Sequence, residues 1–111
     1  MPNKKFTVVW SQSAAADLKE IILFIAEKSP KNARSSLAKI KQECLNLENF
    51  PNMGKIPNEL KSLQIGGYRE LVVAPWRLFY RTTANSVIVL GIIDSRRDLD
   101  DAIWNRMMRL K

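Results

Sequence analysis

Residues 68–98 read YRELVVAPWRLFYRTTANSVIVLGIIDSRRD. The pair Val72-Val73 and the run from Val87 to Ile93 are short, β-branched and bounded by turn residues, the pattern of strands. Pro75 separates the first two extended segments. Thr83-Ala84-Asn85-Ser86 separates the second from the third, and asparagine tolerates the left-handed backbone that a tight turn can require. The stretch therefore predicts a three-stranded antiparallel meander. Side chains alternate faces along a strand. Arg69, Leu71 and Val73 thus share one face of their strand, and Arg77, Phe79 and Arg81 share one face of the next. With Arg96 and Arg97, the stretch holds five arginines. Guanidinium groups repeated among apolar residues either face a ligand or pair within the sheet.

Upstream, residues 5–10 (KFTVVW) predict a short strand that joins this sheet. Ser11 or Ser13 is placed to cap a following helix. Ala14, Leu18, Ile21, Ile22 and Ile25 recur at helical spacing and predict an amphipathic helix over 13–28. Ser29-Pro30 is a helix start signal, serine at the cap and proline at the first helical position. Ala33, Leu37, Ile40, Cys44 and Leu47 then form an apolar stripe on a second helix over 30–49, so the two make a helical hairpin. Residues 50–61 read as loop, and Gly66-Gly67 leads into the meander. Downstream, Asp98 or Asp100 is placed to cap a last helix whose inner stripe is Leu99, Ile103, Met107 and Leu110. The predicted order is β-α-α-β-β-β-α. It is an α+β arrangement in a single domain over 1–111, a small antiparallel sheet with the helical hairpin packed on one face and a C-terminal helix.

Composition narrows the function classes. Eighteen basic and eleven acidic residues give a net charge of +7, which points to an anionic partner. Seven of the eight arginines lie beyond residue 61, whereas the first half is basic through lysine. Arginine suits bidentate contact with phosphate or carboxylate, and lysine is a solvated point charge. There is no histidine, so the commonest general base and metal ligand is missing. No cluster has metal-ligand spacing, and neither a metal nor a cofactor is expected. The single cysteine forms no internal disulfide. Cys44 lies on the helical stripe, and without histidine to activate it a buried, inert thiol is expected. The N-terminus lacks the apolar core of a signal peptide, and the longest apolar run is too short to span a membrane. A cytoplasmic protein is expected.

Several pieces carry a family resemblance in this order: Trp10-Ser11 with Ala14 to Leu18 and Ile21 to Ile25, the loop Phe50-Pro51-Asn52-Met53-Gly54, then Tyr68-Arg69-Glu70-Leu71, Arg77-Leu78-Phe79-Tyr80-Arg81, and Val89 to Ile93 running into Arg96-Arg97-Asp98. Together they resemble the RelE/ParE toxin superfamily of bacterial type II toxin–antitoxin systems, over nearly the whole chain. The resemblance implies a toxin that inhibits growth and a cognate antitoxin as partner. It offers two modes of action, with a nuclease acting directly on nucleic acid as a further alternative. ParE-like toxins inhibit DNA gyrase by binding. RelE-like toxins are endoribonucleases that cut mRNA on the ribosome, using arginines around the scissile phosphate. The Arg-Arg-Asp ending and the long helical hairpin are closer to ParE, and 99–104 has neither tyrosine nor histidine.

The resemblance places Arg77 and Arg96 where RelE-like toxins carry functional arginines, so these two are the candidate catalytic residues. Arg69, Arg81, Arg97 and Trp76 are candidates for contact with the target, whether gyrase, ribosome or nucleic acid. For Trp76 a stacking platform and core packing remain alternatives. For Arg77 and Arg81 the alternative is cross-strand pairing with Glu70 or Asp94.

Overall fold

A computed structural model describes residues 5–109, the last by its backbone alone. The elements are β1 (Thr7–Trp10), α1 (Gln12–Lys28), α2 (Pro30–Leu45), a 3-10 turn (Asn46–Glu48), a short α3 (Asn58–Lys61), β2 (Tyr68–Val73), β3 (Trp76–Thr82), β4 (Ser86–Asp94) and α4 (Asp101–Arg109). The cap residues decide the helix starts. Ser11 rather than Ser13 caps α1, its Oγ accepting from the Ala14 N–H at 3.0 Å. Ser29 ends α1 and caps α2 through Asn32 N–H at 3.1 Å, with Pro30 at the first helical position. Asp100 rather than Asp98 starts α4, its Oδ1 accepting from Ile103 N–H at 2.9 Å. The predicted second helix stops short of residue 49 because its last turn tightens into the 3-10 segment. Leu110, expected on the inner stripe of α4, lies outside the described residues.

The strand order is β1-β4-β3-β2. Strands β2, β3 and β4 form the antiparallel meander, and β1 joins the edge of β4 in parallel, so the sheet is mixed. Of the two turns, 83–86 is closed by the Thr83 hydroxyl, which accepts from Ser86 N–H at 2.9 Å and from Asn85 N–H at 3.3 Å. Asn85 does not adopt the left-handed conformation that its residue type permits, because Thr83 supplies the turn bond instead.

Both faces of the sheet are covered. On one, Leu71, Val73, Leu78, Tyr80, Val87 and Val89 pack under the α1–α2 hairpin against Ala14, Leu18, Ile40 and Cys44. On the other, Phe79, Leu90 and Ile93 pack under α3 and α4 against Leu60, Ile103 and Met107. Each fully buried large side chain contributes about 1.5–3 kcal/mol. Cys44 sits inside the first core, and burial first, then the Glu43 charge, pushes its thiol up to about 12. The thiolate needed for nucleophilic chemistry is therefore not formed near neutral pH.

The register shifts between Phe79 and Tyr80. Across from it, Leu90 and Gly91 both face α4, where strict alternation would have turned Gly91 away. A Cβ at Gly91 would stand 2.7 Å from Arg106 Nη1 and 3.1 Å from Ile103 Cγ1. The missing side chain lets α4 sit close. Arg106 then reaches across to Asp17 on α1 at 2.6 Å and to the Leu90 carbonyl at 3.2 Å. Asp17 in turn accepts from Ile92 N–H at 3.1 Å. This pair caps the stretch of β4 that β1 is too short to cover, and it fastens the first helix to the last.

Candidate functional site

The six candidate residues divide between the two sheet faces. Arg69 is opposite Tyr80 and lies on the hairpin side, where its Nη1 donates to the Gly54 carbonyl at 2.7 Å. That bond is part of a lock on the 51–54 loop. The buried Tyr80 hydroxyl donates to Pro51 O at 2.8 Å and accepts from Gly54 N–H at 3.0 Å. A side chain at Gly54 would meet Glu70 O at 2.5 Å, so only glycine fits there. Trp76 is also on the hairpin side, partly buried against that core, and lines a second groove that Arg97 also borders. Arg81 lies on the α4 side opposite Tyr68, partly buried, with its Nε lacking a partner. None of these three reaches the groove that gathers the others.

That groove, of about 630 Å³, runs along the outer sheet face between α3 and the segment after β4. Arg77, Arg96 and Arg97 all line it, together with Lys55, Glu59 and Glu70. Antiparallel pairing of β3 with β4 brings the arginines together, as Arg77 is opposite Ile93 and the chain leaves β4 just beyond.

Their environments differ sharply. Arg77 is buried, with 10% of its side chain exposed. Its Nε donates to Glu70 Oε1 at 2.7 Å, and Nη2 donates to Glu70 Oε2 at 3.1 Å and Glu59 Oε1 at 2.9 Å. Its Nη1 donates to Glu59 Oε2 at 3.1 Å and to the backbone carbonyl of Arg97 at 2.7 Å. A guanidinium has five N–H donors, and all of them are used. Its carbon also stands 4.8 Å from the Phe79 ring centre. Burial by itself would lower the pKa of Arg77, but the two carboxylates outweigh that and raise it, so it stays charged. Glu70 was legible in the sequence as a partner; Glu59 was not, because it sits 18 positions away on a short helix inside what reads as loop.

Arg96 and Arg97 are at the surface, their side chains 85% and 60% exposed. Arg96 forks onto Asp94 at 2.7 and 3.0 Å, and Arg97 contacts Asp100 at 3.2 Å. The hydrogen bonds from the Arg96 side chain, with its backbone N–H, hold the Asp94 carboxyl down at about 2. Exposed pairs of this kind are weak because water screens them, so an incoming carboxylate or phosphate can replace the internal partner at little cost. Among the described residues, no three of histidine, cysteine, aspartate and glutamate gather to hold a metal ion.

The Arg77 hydrogen bonds hold the Glu59 carboxyl at about 2, against an ordinary value of 4.5. A carboxylate depressed on folding contributes stability above its unfolded pKa and loses it as the pH falls. Acid destabilisation is therefore expected between pH 4.5 and about 2. Thermal melts across that range should show a shallower decline for Glu59→Gln than for the native chain. Identical slopes would mean that Glu59 is not charge-paired in solution.

A family described as "ParE toxin of type II toxin-antitoxin system, parDE" matches residues 8–99, which span the fold from β1 through the groove. The chain belongs to the ParE toxin family. It is the toxin component of a type II toxin–antitoxin module, and a cognate antitoxin is its partner. It is similar to Toxin ParE3 of Caulobacter vibrioides, 28% identical over 93 residues that cover 83% of this chain and 89% of the relative. Its fold matches a solved structure titled "Chromosomal ParDE TA system from P. aeruginosa" with a TM-score of 0.67 and 21% identity, over 81% of this chain and 96% of that one. For a ParE-family chain, the saturated Arg77 becomes the informative feature of the groove.

Proposed function

We propose that this toxin acts in the cytoplasm by binding DNA gyrase, and that Arg96 and Arg97 supply the contact. The observation that carries this reading is the saturation of Arg77. All five of its donors are used, and two carboxylates stand beside it. A phosphodiester entering the groove would meet the exposed Arg96 and Arg97, but at the buried Arg77 it would find no free donor and the carboxylates of Glu59 and Glu70. Cleavage of RNA or DNA needs an uncommitted cation at the scissile phosphate and a group to move a proton. The groove offers Arg96 and Arg97 as cations, but no histidine, and both tyrosines are buried with their hydroxyls engaged by backbone groups. Binding through two exposed guanidinium groups needs neither requirement.

The antitoxin has a separate surface in this reading. An apolar groove of about 440 Å³ lies on the helical hairpin between Trp10, Leu18, Ile22 and Leu37, rimmed by Lys19 and Lys41. Leu23 beside it is 56% exposed. An amphipathic segment with acidic flanks complements both the groove and the basic rim.

The deciding experiment adds purified toxin to gyrase and relaxed plasmid, and separately to RNA and DNA alone. Supercoiling should fail in the first, and the nucleic acids should stay intact in the second. Arg96→Ala with Arg97→Ala should restore supercoiling while antitoxin binding persists. Cleavage by the toxin alone would overturn the binding reading in favour of a nuclease. Full inhibition by the double variant would move the contact away from these arginines.

A further inference from the structure

Residues 95–99 have little packing of their own, because Ser95, Arg96, Arg97 and Asp98 are all exposed. Their backbone is nevertheless held at both ends and in the middle. Ser95 N–H donates to Pro75 O at 2.7 Å. Arg96 N–H donates to Asp94 Oδ1 at 2.8 Å. The Arg97 carbonyl accepts from Arg77 Nη1 at 2.7 Å, and Leu99 N–H donates to Glu59 Oε2 at 3.1 Å. The last two anchors belong to one unit, since Glu59 Oε2 also accepts from Arg77 Nη1 at 3.1 Å. Glu70, only 3% exposed, fixes the other side of the Arg77 plane.

We propose that Glu59 and Arg77 are positioning residues, a clamp that fixes the backbone of residues 97–99 and thereby aims the Arg96 and Arg97 side chains at the target. The proposal rests on the reading that these two arginines make the target contact. Its reasons are geometric. The two clamp bonds are charge-assisted, about twice as strong as neutral ones, and they hold the Arg97 carbonyl and Leu99 N–H, while Arg97 N–H donates separately to the Asp94 carbonyl at 3.0 Å. A flexible arginine pair would lose conformational freedom on binding, whereas a fixed backbone has lost it already. Glu59 comes from α3, an element of four residues held to the sheet side by the buried Leu60. The clamp therefore ties the loop before the meander to the loop after it.

Glu59→Gln tests this, because it keeps the shape of the side chain and removes the charge. Three quantities are read on the full chain: amide hydrogen exchange of Leu99, potency in growth arrest and in gyrase inhibition, and affinity for the antitoxin. Leu99 exchange should accelerate about tenfold or more and potency should fall about tenfold, as expected for losing a charge-assisted bond. Exchange at Leu78 and Val89 in the sheet core should accelerate far less than at Leu99, following only the change in global stability, and antitoxin affinity should stay unchanged. Unchanged Leu99 exchange overturns the clamp. Faster Leu99 exchange with unchanged growth arrest overturns its positioning role. Arg96→Ala with Arg97→Ala, run alongside, separates the two ideas: full potency of that variant sinks the arginine contact itself, while the Leu99 exchange still decides whether the clamp exists.

Discussion

Arg77→Ala is expected to destabilise the fold severely at neutral pH, and not to act as a clean loss of a target contact in an otherwise intact toxin. Removing the guanidinium leaves Glu70, 3% exposed, and the part-buried Glu59 without a counter-charge. Breaking a buried pair on one side costs about 3–5 kcal/mol, against about 5–15 kcal/mol for the whole stability of a domain. The lost bond to the Arg97 carbonyl adds to this. Urea denaturation measures the effect directly. The sequence alone predicts a different result, a folded variant that has lost only a phosphate contact. A control separates charge from shape: Arg77→Leu combined with Glu59→Leu and Glu70→Leu should recover much of the loss, because an apolar replacement of a whole buried ion pair is often neutral. A urea midpoint unchanged by Arg77→Ala would show that the ion pairs contribute nothing net and that Arg77 is free for another role.

Two positions on one helix stripe should behave very differently. Ile40 is 1% exposed in the core under the hairpin. Ile40→Asp buries a carboxylate with no partner and removes a packed side chain, a loss of about 4 kcal/mol or more. Circular dichroism and melting temperature should report an unfolded or severely destabilised chain. Leu37 is only partly buried and lines the apolar groove beside Lys41. A carboxylate at Leu37 reaches water and faces Lys41 one helical turn on, so Leu37→Asp should cost about 1–2 kcal/mol. It should leave a folded toxin with weakened antitoxin binding. Equal destabilisation by the two variants would mean that the groove closes in solution over Leu37. Intact antitoxin binding by folded Leu37→Asp would place the antitoxin elsewhere.

Much of the architecture is carried by local rules. Ser11 and Ser29-Pro30 start helices because a side-chain oxygen satisfies an N–H that the helix leaves unpaired. The period-two patterns of β2 and β3 fix which residues share a face within each strand, and Arg69 with Leu71, like Arg77 with Phe79, follows that rule. The order of motifs from Trp10 to Asp98 identifies the superfamily. These are properties of residue type and short spacing, so they are legible without coordinates.

What the tertiary structure decided is which charges meet. Register placed Arg69 and Trp76 on the hairpin face and Arg77 on the other, although all lie within one meander. The shift between Phe79 and Tyr80 turned Gly91 towards α4 and opened the space for Arg106 to reach Asp17. Arg77 is recognisable in the sequence as a candidate, but its state depends on Glu59, which arrives from a four-residue helix. A guanidinium free for a target and one with every donor engaged have the same sequence signature. Electrostatic energy depends on distance and on exclusion of water, and neither is a function of position along the chain.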